Sequence, residues 1–365
     1  MPSIRTALIG CGKVGSIHAR VLSTLDESNF SAVCDTDQSR AESFGVEFKT
    51  AAYSSVRKMI QRENIQAVCI CTPHPLHAAA AIEAAECGAH ILVEKPLAAN
   101  LRDCDLMIEA SKRHGVHLGV VSQRRFFEPV QRMKAAIDAG KIGRPVLGTI
   151  QMLSWRDLAY YQSDPWRGKW ATEGGGVLVN QAPHLLDILY WLMGSVEEIT
   201  GYWANLNHPG VEVEDTAVAS VRFQNGGLGS IVTSLSQRPG IYSKLHIHGS
   251  NGASVGVQTD TGASFIAGIN EIEEPPVNDL WTIPGEESRL PEFIAQDSKQ
   301  FRERRDPDYY HRLQIHDFLN AILTKTRPLV TASHGRAVVE LFTGIYLSNR
   351  NRCSIRFPLV PDSGN

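Results

Sequence analysis

Short apolar runs and helix-patterned stretches alternate through the first 122 residues of this chain. The runs Thr6 to Ile9, Ser31 to Cys34, Ala67 to Cys71, His90 to Val93 and His117 to Val121 lack in–out alternation, as strands buried on both faces do. Helical patterns fill the gaps at Val14 to Leu25, Pro75 to Cys87 and Asn100 to His114. Strand and helix in alternation predict an α/β unit built on a doubly wound parallel sheet.

Past Glu128 the pattern changes. Val146 to Trp155, Thr216 to Phe223 and Leu228 to Ser234 are longer and alternate. Gln224-Asn225-Gly226-Gly227 predicts a tight hairpin because Asn-Gly supplies positive φ, and Ser250-Asn251-Gly252 predicts a second. Helical patterns return at Gly176 to Met193, Tyr309 to Thr324 and His334 to Asn349. This half is expected to be α+β, with a large open, mainly antiparallel sheet. Residues 270 to 308, rich in proline and charge, are expected to form a long surface excursion. The expected domains are 1–125 and 126–365, with the C-terminal helices free to pack back on the first.

Composition narrows the function. Of 365 residues, 43% are hydrophobic and 21% charged, ordinary for a chain that buries a sizeable core. Lys plus Arg number 36 against 39 Asp plus Glu, so no basic excess exists to neutralise a nucleic acid. Apolar runs such as Ala67 to Cys71 fall far short of the ~20 residues that cross a bilayer, so no membrane partner is expected. The N-terminus enters a strand without a signal-peptide layout. Seven cysteines, an odd number with several in apolar runs, read as reduced core residues. A cytoplasmic enzyme is expected.

Gly10-Cys11-Gly12-Lys13-Val14-Gly15 joins the first strand to the first helix. The first glycine permits the turn, the second admits a pyrophosphate, and the third lets helix pack on strand. Asp35 follows Gly15 by twenty residues, where a carboxylate can bond adenosine ribose hydroxyls and repel a 2′-phosphate. NAD is therefore expected over NADP, with Arg40 as the nearby basic residue that could accept a phosphate. Thr72-Pro73-His74 and Glu94-Lys95-Pro96 follow later strands and are expected to line the same crevice. Thr72-Pro73 reads equally as a strand terminator.

Lys95 at a strand end can hold a substrate hydroxyl, or simply pair with Glu94. Downstream, Glu173-Gly174-Gly175-Gly176 leads into Asn180 and His184, and three glycines imply a close backbone approach. Spaced i, i+4, Asn180 and His184 are expected on one helix face, unless Pro183 starts or kinks the helix. His184 among leucines is also compatible with a buried, satisfied histidine.

Together these motifs resemble the glucose–fructose oxidoreductase / inositol dehydrogenase / MocA (Gfo/Idh/MocA) family of NAD(P)-dependent oxidoreductases, from Ile4 to about Pro358. The motifs carrying the resemblance are the strand-linked glycine turn, Cys71-Thr72-Pro73 followed by His77, Glu94-Lys95-Pro96, and the glycine block with Asn180, His184 and Asp187. The resemblance implies that Lys95 and His184 face nicotinamide and substrate, that Arg124 lies near cofactor or substrate, and that the second-domain sheet forms a homodimer or homotetramer interface. Many members carry aspartate where this chain has Asn180, which can orient but not accept a proton.

The expected reaction is oxidation of a secondary hydroxyl of a sugar, inositol or glycoside, with His184 taking the proton and Lys95 holding the oxygen. Lys95 as the base, with His184 positioning substrate, is the rival assignment. Trp155, Tyr161, Trp166 and Arg167 are expected to border the pocket, since rings stack on sugar C–H faces while Arg bonds hydroxyls. The alternatives are a retained, recycled NAD acting on glycosides, a nucleotide-sugar dehydrogenase, and a non-catalytic NAD sensor. No metal site is expected: His246 and His248 share a strand face without ligand partners at suitable spacing. Arg302, Arg304 and Arg305 are expected on a solvated face.

Overall fold

The computed structural model describes residues 2–238, 240–259, 275–304, 306 and 308–360. The chain divides into two compact units, one of Met1–Gln123 with Asp308–Val339, the other of Arg124–Pro307 with Glu340–Pro361.

The first unit runs β1 (Ile4–Ile9), α1 (Lys13–Leu22), β2 (Ser28–Cys34), α2 (Gln38–Phe48), β3 (Ala51–Tyr53), α3 (Val56–Glu63), β4 (Ala67–Ile70), α4 (His77–Glu86), β5 (His90–Val93), α5 (Leu101–His114) and β6 (Leu118–Val120). The sheet order is β3-β2-β1-β4-β5-β6, all parallel, and a strand order that reverses beside β1 is the dinucleotide-binding topology. Leu8, Val33, Cys69 and Leu92 pack with Ile315, Phe318 and Leu319 of the helix Tyr309–Thr324. Element α2 carries little periodic signal, since it buries only Ala41 and Gly45, while β3 and α3 are short, at three and eight residues. Caps supply what periodicity does not: Asp37 accepts from the Ser39 and Arg40 N–H groups, and Ser55 from Lys58.

The second unit contains α6 (Glu128–Asp138), β7 (Pro145–Leu153), α7 (Leu158–Gln162), α8 (Trp170–Glu173), α9 (Val177–Asn180), α10 (Pro183–Met193), β8 (Val196–Ala204), β9 (Thr216–Phe223), β10 (Leu228–Ser234), β11 (Ser243–Gly249), β12 (Ser254–Thr259), β13 (Val277–Trp281) and β14 (Ile355–Arg356). The eight-stranded sheet has order β13-β12-β11-β7-β10-β9-β8-β14, antiparallel except for β7 with β10. Both expected hairpins form, β9–β10 and β11–β12.

The expected excursion over 270–308 is corrected where it is described. It contains β13 and a 14-residue helix, Leu290–Glu303. Polar residues with internal partners disguised both. Asn278 is buried and donates to Pro129 O and Gly256 O, while Asp297 is buried against Arg132. Arg304 likewise pairs with Glu128 and is only partly exposed, whereas Arg302 is exposed. Arg305 and the stretch 260–274 lie outside the described residues.

Candidate active site

In the first unit the three turn glycines meet three different demands. Gly10 has φ +97°, and a Cβ there would lie 2.7 Å from Cys71 C. A Cβ on Gly15 would lie 2.1 Å from Gly10 O, so α1 can cross β1 only without one. Gly12 meets nothing within 4 Å, and α1 begins there with no side-chain cap. The result is a backbone cradle at a helix N-terminus with room for a pyrophosphate. Cys11 shapes it through its backbone: its N–H donates to Asp35 Oδ2 at 2.8 Å, and burial pushes its thiol up to about 12. Asp35 Oδ1 accepts the Asp37 N–H at 2.9 Å, and Arg40 Nη1 lies 3.7 Å from Oδ2. Lys13 is exposed and Val14 half-buried on the first turn of α1.

Two strand-end turns are fastened together. His77 is fully buried, with Nε2 2.9 Å from Thr72 O and Nδ1 2.9 Å from Pro96 O. Both ring nitrogens are thereby committed to backbone carbonyls, and His77 ties the two turns together. His74 is buried edge-on to His77, while Thr72 and Pro73 are half-buried.

Glu94 sits in a buried cluster. Its Oε1 is 2.9 Å from His18 Nε2 and 4.0 Å from His311 Nε2, and its Oε2 accepts the Lys95 N–H at 3.1 Å. Burial disfavours its charge, yet His18 holds the carboxyl well below the usual range. Burial also opposes protonation of His18, but the neighbouring cysteines Cys71 and Cys69 and Glu94 raise it well above the ordinary histidine value. His311 is pushed down to about 4 by burial and the nearby His18. The three ligand-type atoms lie within 4.8 Å of one another. The 2.9 Å contact and these opposed shifts describe a charged hydrogen-bonded pair beside a neutral ring. Through Glu94 Oε2 that pair fixes the backbone of the half-buried Lys95.

In the second unit the three-glycine turn is explained by what presses on it. A Cβ on Gly176 would lie 1.9 Å from Glu214 O, and one on Gly175 2.3 Å from Tyr346 Oη. The fully buried Glu214 carboxylate accepts from Gly176 N at 2.8 Å, Leu178 N at 2.9 Å and Tyr346 Oη at 2.8 Å. Burial pushes Glu214 up to about 7 despite these donors. Pro183 starts α10, because it has no N–H to continue a helix from α9. Asn180 and His184 therefore stand on successive helices, which corrects the expected single face; both are half-buried. One turn beyond His184, Asp187 accepts from Arg125 Nε at 2.7 Å and Nη2 at 2.6 Å, and Arg125 is fully buried. The neighbouring Arg124 is also buried and donates to Thr259 Oγ1 at 3.0 Å.

The aromatic segment before the glycines splits in two. Tyr161 is buried: it packs with Tyr160 and Val213 and lies edge-on to His208. Trp155 and Trp166 remain half-buried, and the Arg167 guanidinium lies 4.4 Å from the Trp166 ring centre. Tyr160 Oη collects Arg167 Nη1 at 2.6 Å, Gln181 Nε2 at 2.8 Å and Asn180 Nδ2 at 3.1 Å.

Comparison with known proteins gives this arrangement a family. A model described as the oxidoreductase family with an NAD-binding Rossmann fold matches residues 4–122, and the GFO/IDH/MocA C-terminal domain matches residues 130–255. Myo-inositol 2-dehydrogenase of Thermotoga maritima is 31% identical over 257 residues, 68% of this chain and 74% of that protein. The chain belongs to the Gfo/Idh/MocA family. It is accordingly an oxidoreductase with an NAD-binding Rossmann domain. The NAD(+)-dependent scyllo-inositol 2-dehydrogenase of Bacillus subtilis is 29% identical, covering 68% of this chain and 72% of that one. The WlbA dehydrogenase of Bordetella pertussis, solved with NADH and UDP-GlcNAcA, is 29% identical with TM-score 0.86, covering 98% and 99% of the two chains. Among the described residues no helix is long and apolar enough to cross a membrane.

Sequence reasoning on this Gfo/Idh/MocA chain did not single out His18, Arg125, Glu173, Glu214, His311 or Tyr346. Each acts through a partner distant in sequence, except Glu173, whose place directly before the glycines was the available signal.

Proposed function

We propose that this protein is an NAD-dependent dehydrogenase that oxidises a secondary hydroxyl of a sugar, inositol or glycoside. The observation that carries the reading is the glycine turn, whose Gly12 leaves open space beside the Asp35 carboxylate that accepts the Cys11 N–H. NAD, when bound, supplies the hydride acceptor. His184 takes the hydroxyl proton and Lys95, its backbone fixed by Glu94, holds the oxygen as negative charge develops. Trp155, Trp166, Arg167, Arg124 and Asn180 bind the rest of the substrate. The negative charge of Asp35 favours NAD over NADP. Free thiols at all seven cysteines and use of NAD suit the cytoplasm. Self-association through the open sheet face, as a dimer or tetramer, accounts for exposed Tyr202, Val218 and Leu228.

The second reading, a nucleotide-sugar dehydrogenase, is favoured by the whole-chain match to the dehydrogenase solved with UDP-GlcNAcA. One assay separates the readings. Nucleotide-stripped protein is mixed with NAD and a panel of inositols, sugars, glycosides and UDP-sugars, and NADH absorbance and product are both followed. Free NADH with one class identifies the substrate. Product without free NADH indicates retained, recycled cofactor, and tight NAD binding with no product overturns the proposed substrate classes. His184→Ala and Lys95→Ala are each expected to lower kcat about 10²-fold or more.

A further inference from the structure

Glu173 is 1% exposed, precedes the glycine turn, and has no part in the reaction as set out above. Its Oε2 accepts the Gly168 N–H at 2.6 Å, and its Oε1 accepts Asn180 Nδ2 at 2.7 Å. Each carboxyl oxygen of Glu173 thus accepts an N–H group of the protein. That contact decides how the Asn180 amide lies, because the opposite orientation would set amide oxygen against carboxylate oxygen. The second contact of Asn180 Nδ2 is Tyr160 Oη, at 3.1 Å. Both amide hydrogens are thus directed at the segment 160–173, and the polar atom Asn180 turns to other partners is Oδ1, an acceptor.

Tyr160 is consistent with this arrangement. Three donor groups converge on its oxygen, which has two lone pairs and a proton of its own. Arg167 can only donate, and Glu173 compels Asn180 to donate. Gln181 is the one group able to turn and accept the Tyr160 proton through Oε1, an atom otherwise buried without a hydrogen bond.

We propose that Glu173 is a positioning residue for the substrate site, setting Asn180 to accept a hydrogen bond from a substrate hydroxyl. The inference rests on the dehydrogenase reading for the identity of the substrate, but not for the Glu173–Asn180 pairing.

Three variants test it. Glu173→Gln can keep the Gly168 bond but no longer compels Asn180 to donate, and kcat/KM should fall roughly tenfold to a hundredfold. Asn180→Asp places a second carboxyl against Glu173, and two such groups in contact cannot both ionise. One then keeps a proton in the folded state at pH values where the unfolded chain has lost it. Relative to the parent, Tm of Asn180→Asp should therefore drop progressively as pH rises from about 4 to 7. Glu173→Gln with Asn180→Asp restores one amide facing one carboxylate, so Tm should again track the parent and kcat/KM should recover at least tenfold over Asn180→Asp. Tyr160, Tyr161 and Tyr346 lie within the influence of Glu173, and Arg156 and Arg167 flank Tyr160. Asp164 pairs with Arg167, Glu214 accepts from Tyr346, and His184 follows Asn180 by four residues. All are common to every variant, so the comparison with the double variant, which carries one carboxyl at the pair as the parent does, isolates the second carboxyl.

Melting curves need neither cofactor nor substrate, so they judge the pairing even if the panel shows no turnover. Parallel Tm–pH curves for parent and Asn180→Asp would overturn the pairing. Unchanged kcat/KM in Glu173→Gln, or a double variant that regains Tm but not kcat/KM, would overturn the positioning role.

Discussion

Arg125 and Asp187 show what a buried charge does in this protein. Both side chains are almost wholly inaccessible and their contact is bidentate. Asp187→Asn leaves the guanidinium in place without its counter-charge, and should cost about 3–5 kcal/mol in denaturant unfolding. Replacing both partners by apolar residues of similar volume should cost much less, because no charge is then stranded. His311 gives a pH signature. Burial pushes it down from 6.5 to about 4, so between those values the unfolded chain binds a proton that the folded chain refuses. Stability should fall as pH drops through that window, by up to about 1.4 kcal/mol per unit, and His311→Gln should flatten the slope. Glu94, held low by His18 against the effect of burial, adds to acid lability below the ordinary carboxylate range. At the cofactor turn, Asp35→Asn keeps an acceptor oxygen while removing charge, so the ratio of NAD to NADP affinity should drop. Tighter binding of NADP than NAD by the parent protein would contradict the assigned preference.

At the scale of elements, the glycines separate folding from binding. Gly176→Ala would drive a methyl into the Glu214 backbone, which has no flexible end to move aside. A loss of at least about 2 kcal/mol is expected, with α9 and its Asn180 displaced. Gly12→Ala meets nothing within 4 Å at an ordinary φ of −96°, so Tm should hardly change. Its NAD affinity should nonetheless fall at least tenfold, since the methyl would stand where the pyrophosphate approaches. Calorimetry and a binding titration on the same samples check both halves. These elements also show where legibility ended. The glycine turn of the first unit was readable because strand, turn, helix and Asp35 are contiguous signals in the chain. The three-glycine turn announced a close approach, but Glu214 and Tyr346 lie dozens of residues away and could not be named. For α9 and α10, Pro183 decided between one helix and two.

For the whole molecule, the sheet of the second unit raises the question of assembly. Strand register sets Tyr202 beside Val218, Val218 beside Val232, and Val232 beside Gln151 on one face. A second row runs through Arg222, Leu228, Leu147 and His248. Leu147, Val218, Leu228 and Tyr202 are exposed in the single chain. If copies associate through this face, Val218→Lys with Leu228→Lys should shift sedimentation to the monomer without unfolding it. A parent protein that sediments as a monomer would remove the proposed interface.

The sequence by itself determined those features whose causes are local. Uninterrupted apolar runs between helical stretches determined a parallel sheet, alternation and Asn-Gly determined the second sheet's hairpins, and the linked motifs determined the family. Tertiary structure decided whatever depends on partners brought together from distant positions. It turned polar residues near 278 and 297 into buried strand and helix, and it joined His77 to Thr72 and Pro96 and packed Tyr161 on Tyr160 and Val213. It also placed Glu94 between two histidines and Glu173 against Asn180. The physical reason is common to all of these. A polar side chain can be buried once its hydrogen bonds are met, and only the folded chain shows which groups meet them.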